Sequence, residues 1–132
     1  MKVNIKEQVI ERIVAHAEKE APIEACGYLA GKDGVITKHY ELTNVDNSPE
    51  HFSFDPEEQF NVLKQARNEG LEIMANYHSH PATPARPSQE DIRLAYDPGI
   101  SYFIVSLAGN PKIKSFKIKN GVVTQQKIEL IE

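Results

Sequence analysis

His78-Ser79-His80-Pro81-Ala82-Thr83-Pro84-Ala85-Arg86-Pro87-Ser88-Gln89-Glu90-Asp91 is the stretch on which the reading of this chain turns. Leu71 to His78 ahead of it has the composition of a strand, and Ser79 to Pro87 reads as a polar loop in which three prolines restrict φ. A rigid loop after a strand is a good place for a site. Alternate strand residues point to one face with Cβ atoms about 7 Å apart, so the imidazoles of His78 and His80 can reach a single ion. Ser88-Gln89-Glu90-Asp91 has the N-cap pattern of a short helix, and a loop folding back over the strand brings the Asp91 carboxylate toward the same point. Two histidines and one carboxylate leave a tetrahedral zinc with one open position, which separates catalytic from structural sites.

Each residue also has a plainer reading. A histidine at a strand end is commonly a hydrogen-bonded surface residue, Asp91 suits the helix dipole as a first-turn acid, and Ser88 suits an N-cap without any chemistry. Glu24, after Pro22, reads as a solvated acid, and Cys26 as a small buried hydrophobe. Competing histidine chemistries are tested by what is missing. The metallo-β-lactamase pattern wants Asp-His soon after the second histidine, where Pro81-Ala82-Thr83 stands instead. Zinc nucleobase deaminases need Pro-Cys-x-x-Cys, which a lone cysteine cannot supply. Amidohydrolase barrels need about 200 residues or more. Non-haem iron oxygenases share the two-His, one-carboxylate set, but in the order His-x-Asp with a distant His, and remain only a weak alternative.

Outward from this stretch, Asn4 with Glu7 three residues later suits a capped helix start, and Val9, Ile10, Ile13, Val14 and Ala17 continue it at helical spacing to a stop before Pro22. Cys26 to Ala30 and Val35 to Leu42, joined through Asp33-Gly34, predict a hairpin. Asp55-Pro56-Glu57-Glu58 predicts a second helix reaching Gly70, with Phe60, Leu63 and Ala66 on its inner face. Tyr102 to Leu107, Ile113 to Ile118 and Val122 to Ile131 predict three closing strands, the last two joined at Asn120-Gly121.

The 132 residues, 40% hydrophobic and 26% charged, predict one compact domain over 1–132 without repeats or a linker. Fifteen Lys and Arg against nineteen Asp and Glu leave a net charge of −4, so no cationic excess is available for a phosphate backbone and nucleic acid is not expected as a partner. The lone Cys26 forms no internal disulfide, no apolar run approaches the roughly 20 residues of a membrane span, and the expected compartment is the cytoplasm.

Taken together, Glu24, His78-Ser79-His80-Pro81, Ser88 and Asp91 resemble the JAMM or MPN+ metallopeptidase family, whose signature is a glutamate, a later His-x-His, seven residues, Ser, two residues and Asp. Pro22-x-Glu24-x-Cys26-Gly27, Asn44 with Asn47-Ser48-Pro49 and Phe52, Asp55-Pro56 and Ala85-x-Pro87-Ser88 are similar to its small stand-alone prokaryotic branch. The resemblance implies an α/β fold with a curved, partly closed β-sheet flanked by helices. It implies His78, His80 and Asp91 as zinc ligands, Glu24 as general base and Ser88 as a donor to the developing oxyanion. The substrate class it implies is a ubiquitin-like sulfur-carrier protein ending in Gly-Gly, from which relatives remove a cysteine, a peptide extension or a conjugated protein. The same resemblance leaves a second class open, a non-catalytic module that binds a ubiquitin-like partner. Relatives often dimerise, and the apolar strands near the C-terminus offer an edge for a homodimer. For Cys26 two roles stand beside each other, packing and a thiolate that occupies the open zinc position in a resting state.

Overall fold

The computed structural model describes all residues from Met1 to Glu132. In chain order the elements are β1 (Lys2–Lys6), α1 (Glu7–Glu20), β2 (Cys26–Lys32), β3 (Val35–Leu42), α2 (Pro56–Asn68), β4 (Glu72–His80), α3 (Gln89–Arg93), β5 (Ser101–Ser106), β6 (Lys112–Lys119) and β7 (Val122–Ile131). The seven strands close into a barrel in the order β1-β3-β2-β4-β5-β6-β7. Most neighbours are antiparallel, but β4 pairs parallel with β5, and β1 closes the ring by pairing parallel with both β3 and β7.

The parallel pair with β4 explains why the middle of β5, Tyr102 to Val105, carries no polar alternation. All six residues of Ser101–Ser106 are buried, so the strand has cover on both faces. Period two then assigns the faces. Leu29, Ala75, Tyr77, Phe103 and Val105 pack with Val9 and Ile13 of α1. Cys26 and Tyr28 from β2 lie with Tyr40, Leu42 and Ala66 in a second cluster, and Tyr102 and Ile104 with Phe116 and Ile118 in a third. Because His78 and His80 alternate with Tyr77 and Ser79, both histidines fall on the face turned away from α1.

The two hairpins form at the predicted dipeptides. Asp33 and Gly34 have φ of 55° and 78°, and Asn120 and Gly121 have φ of 51° and 78°, the left-handed conformations that a two-residue turn demands. Gly27 is constrained differently: a Cβ there would stand 2.2 Å from the Tyr40 carbonyl oxygen and 2.6 Å from the Tyr77 ring, so only glycine lets the backbone of β2 pass.

Three local expectations are corrected. Asn4 does not cap α1; it lies inside β1, and the cap position is Lys6, which makes no side-chain hydrogen bond. Val3 and Ile5 alternate with polar residues and are buried, and the pairings that close the barrel outweigh the local capping pattern. On α2, Asp55 does cap the helix through the Glu57 N–H and Ala66 is buried, but Phe60 is 65% exposed and Leu63 40%. The helix turns Val62 inward, while Gln59 donates to the Tyr28 hydroxyl at 2.6 Å. Finally, the strand does not end at His78 but runs through His80, so Ser79 is a strand residue rather than the first of a loop.

Candidate active site

His78 and His80 stand at the C-terminal end of β4, and Asp91 in the first turn of α3 faces them across the proline-rich loop. The Nε2 atoms of the two histidines are 3.1 Å apart, and the Asp91 Oδ2 lies 3.1 Å from the first and 3.2 Å from the second. A tetrahedral zinc with bonds of 2.0–2.1 Å has ligand-to-ligand edges of about 3.3 Å, so this triangle has the size such an ion needs. The histidine tautomer gives a second test of fit. His80 Nδ1 lies 2.9 Å from the Pro84 carbonyl and therefore carries the proton, which leaves the lone pair of Nε2 facing the Asp91 carboxylate. Two acceptors that face each other at this distance need a positive charge between them, which a proton or a metal ion supplies.

The electrostatics show how strongly the carboxylate favours positive charge at this point. Burial alone would lower the His80 imidazole, but the Asp91 carboxylate and the Pro84 carbonyl outweigh it and hold it above its ordinary value. Burial would likewise raise Asp91, yet hydrogen bonds to both imidazoles and from the Ser88 N–H carry it well below the usual carboxylate range. Ser88 does two further things. Its Oγ accepts the Asp91 N–H at 3.0 Å as the N-cap of α3, while its N–H donates to Asp91 Oδ2 at 2.9 Å. The capping box thus aims the carboxylate, and the Ser88 O–H is left to donate elsewhere.

Glu24 is not the solvated acid of its plainer reading. It is 3% exposed, and its Oε1 is buried with no hydrogen-bond partner. Burial pushes its carboxyl up to about 8, with His80 pulling it down and Asp91 and Glu90 pushing it up, so Glu24 stands within electrostatic reach of the triangle. Its backbone is fixed from two sides. The Glu24 N–H donates to the Ser48 carbonyl at 2.9 Å, and Asn44 Nδ2 donates to the Glu24 carbonyl at 3.1 Å.

Asn44 also donates to the His51 carbonyl at 3.0 Å and accepts from the Asp46 and Ser53 N–H groups, so one amide ties the 44–54 loop to the segment that carries Glu24. Phe52 on that loop stacks on His78 with ring centroids 4.7 Å apart. The family resemblance marked Asn44 and Phe52 as shared features and gave them no task; the signal in the residues themselves was an Asn followed by turn-forming Asn47-Ser48-Pro49. Cys26 is fully buried, its Sγ donates to the Leu42 carbonyl, and burial pushes the thiol up to about 12, all of which belongs to packing.

A profile described as prokaryotic homologs of the JAB domain matches residues 6–119. The chain belongs to the JAMM/JAB family, in its prokaryotic branch. This JAB-family chain is 34% identical to the CysO-cysteine peptidase of Mycobacterium tuberculosis over 132 aligned residues, covering 97% of this chain and 90% of that one. It is 32% identical to the desampylase of Pyrococcus furiosus, covering 84% of this chain and 79% of the other. A Desulfitobacterium hafniense protein solved in solution superimposes with a TM-score of 0.90 at 48% identity, covering 98% of this chain and 93% of that one. The two curated relatives are named a peptidase and a desampylase, and the JAB-family chain is a hydrolase. No helix is long and apolar enough to cross a membrane.

Proposed function

We propose that the protein is a zinc-dependent peptidase or isopeptidase that cleaves after the C-terminal Gly-Gly of a ubiquitin-like sulfur-carrier protein. The observation that carries this reading is the convergence of His78 Nε2, His80 Nε2 and Asp91 Oδ2 beside a buried, unpartnered Glu24 carboxylate. His78, His80 and Asp91 would hold the ion. When bound, zinc supplies Lewis acidity, polarising the scissile carbonyl and lowering the pKa of a water from about 15.7 toward 7.

The remaining work belongs to the chain. Glu24 takes the proton of the attacking water and passes it to the leaving amine, a task that suits a carboxyl whose proton affinity has been brought near neutrality by burial. Ser88 donates its O–H to the carbonyl oxygen as negative charge develops there, where a donor already in place contributes most. Phe52 holds the plane of His78, and the Pro84 carbonyl holds that of His80. The carrier substrate is supported by the names of the relatives, a CysO-cysteine peptidase and a desampylase. Residence in the cytoplasm is supported by a fold that needs no disulfide, its lone cysteine being free and buried.

The test is intact-mass analysis of a diglycine carrier bearing either a C-terminal cysteine or a short peptide extension, incubated with zinc-loaded protein and with Glu24→Gln. Loss of the tail after the diglycine with the wild type alone is expected. An intact carrier despite bound zinc would overturn the substrate, and a chain that takes up no zinc would return the protein to the non-catalytic module.

A further inference from the structure

Two of the three residues in the triangle have a further partner in the chain that holds them. His80 is held at Nδ1 by the Pro84 carbonyl, and Asp91 at Oδ2 by the Ser88 N–H. His78 turns its Nε2 to the triangle, so in the form that binds an ion its proton sits on Nδ1. That Nδ1 is buried and has no hydrogen-bond partner. An imidazole that ligates a metal almost always donates its other N–H to an acceptor, which fixes the tautomer and the ring and makes the ligand more basic. This step rests on the proposed reading of the triangle as a zinc site.

The register of β4 leaves one neighbour able to serve as that acceptor. Cys26 of β2 and Ile104 of β5 flank His78. The Cys26 Sγ is committed to the Leu42 carbonyl, Ile104 is apolar, and Phe52 covers the face of the ring rather than its edge. On the strand itself, His80 lies on one side and has both nitrogens engaged. Asn76 lies on the other, two residues back and on the same face. Its Oδ1 is also buried with no hydrogen-bond partner.

An unpartnered donor and an unpartnered acceptor therefore stand in succession on one strand face. Their Cβ atoms are about 7 Å apart, a gap that an amide and an imidazole leaning toward each other can close. The residues that flank Asn76, Tyr28 and Tyr102, are occupied elsewhere: the first hydroxyl is bonded to Gln59, and the second donates to the Asp97 carbonyl. The amide has room to turn, because Asn76 and His78 both line a cavity of about 540 Å³.

We infer that Asn76 is the positioning residue of His78, its Oδ1 accepting the His78 Nδ1–H when the triangle holds its ion. Each ligand then has one support: a loop carbonyl for His80, a helix-cap N–H for Asp91 and a strand amide for His78. Asn76 touches neither ion nor substrate and acts through the imidazole alone.

The experiment measures zinc affinity by competition with a chromophoric chelator for the wild type, Asn76→Leu and Asn76→Asp, and records imidazole 15N–1H correlation spectra of the zinc-loaded proteins. Asn76→Leu, close to asparagine in volume but without an acceptor, is expected to weaken zinc binding by about ten- to a hundredfold. Asn76→Asp keeps an acceptor at the same point and is expected to bind zinc at least as tightly as the wild type. The His78 Nδ1–H resonance should move upfield in the Leu variant alone, while that of His80 stays in place in all three. Metal-free Asn76→Leu should melt no lower than the metal-free wild type, because it exchanges an unpartnered buried oxygen for a methyl group. A lower melting temperature would make Asn76 a structural residue and overturn the assignment. Zinc binding as tight in the Leu variant as in the wild type, or as weak in the Asp variant as in the Leu variant, overturns it too and leaves the proposed function standing. The expected affinities and spectra with no cleavage of any carrier would do the reverse, and a wild type that takes up no zinc overturns both together.

Discussion

The N–H of Ala25 donates to the Oγ of Ser79 at 2.7 Å, and the N–H of Ser79 donates to the Ala25 carbonyl at 3.0 Å. The residue between the two histidines is thereby tied twice to the residue that follows Glu24. Ser79 is fully buried, so no water competes for either bond. The triangle and the acid come from chain segments more than fifty residues apart, and this pair of bonds makes them one unit.

Ser79→Ala removes the acceptor and leaves the Ala25 N–H buried and unsatisfied, which costs about 1–3 kcal/mol. Denaturant titration should show that loss. Because the histidines and Asp91 are untouched, zinc content should be retained while kcat falls more than KM rises, the mark of a displaced Glu24. Unchanged kcat would show that the two bonds serve stability alone.

The elements legible in the sequence were those whose signals are local. Asp33-Gly34 and Asn120-Gly121 turn as their left-handed φ demands, Asp55-Pro56 starts α2, and Ser88 caps α3 with Asp91. Strand β1 was not legible, because five residues become a strand only through partners near residues 35 and 128, and a capping pattern at Asn4 competes with them. The inner face of α2 was misread for a related reason. Phe60 and Leu63 are more apolar than Gln59, but the rotation that packs Val62 and Ala66 against Tyr28, Tyr40 and Leu42 also brings Gln59 to the Tyr28 hydroxyl and leaves Phe60 and Leu63 outside. At the site, the triangle was readable from spacing and family resemblance. The burial of Glu24 and the hub at Asn44 depend on three-dimensional neighbours and were not.

Gly27→Ala should destabilise the protein by about 3 kcal/mol or more, because the added methyl meets the backbone carbonyl of Tyr40 as well as the Tyr77 ring and neither can move without disturbing β3 or β4. Thermal unfolding checks this. A variant that melts within a few degrees of the wild type would mean that β2 can shift in its register, which its pairing with both neighbours argues against.

His16 predicts a pH dependence away from the site. It is 3% exposed, and its Nδ1 lies 2.8 Å from the Tyr77 hydroxyl. Burial lowers its imidazole below the ordinary 6.5, outweighing the carboxylates of Glu41 and Glu20 that pull it up, while Lys19 and His39 add to the lowering. The unfolded chain therefore binds a proton more readily than the folded one, and stability rises with pH through this window. The contribution is fully present above pH 6.5 and is lost as pH falls through the folded value. Unfolding free energies at pH 5 should be lower than at pH 7 on this account, and His16→Gln should flatten the difference. An equal slope in both proteins would place the titrating group elsewhere.

Metal removal probes the triangle without any substrate. An ion that binds only the folded chain raises its stability by about 2.7 kcal/mol when present at a hundred times its dissociation constant. Chelation should lower the melting temperature of the wild type, and added zinc should restore it. Asp91→Asn keeps a side-chain oxygen near the histidines and the cap on Ser88 but removes the negative charge that the ion neutralises. The variant should fold, yet its melting temperature should respond far less to zinc. A response as large as that of the wild type would show that the ion binds outside the triangle of His78, His80 and Asp91.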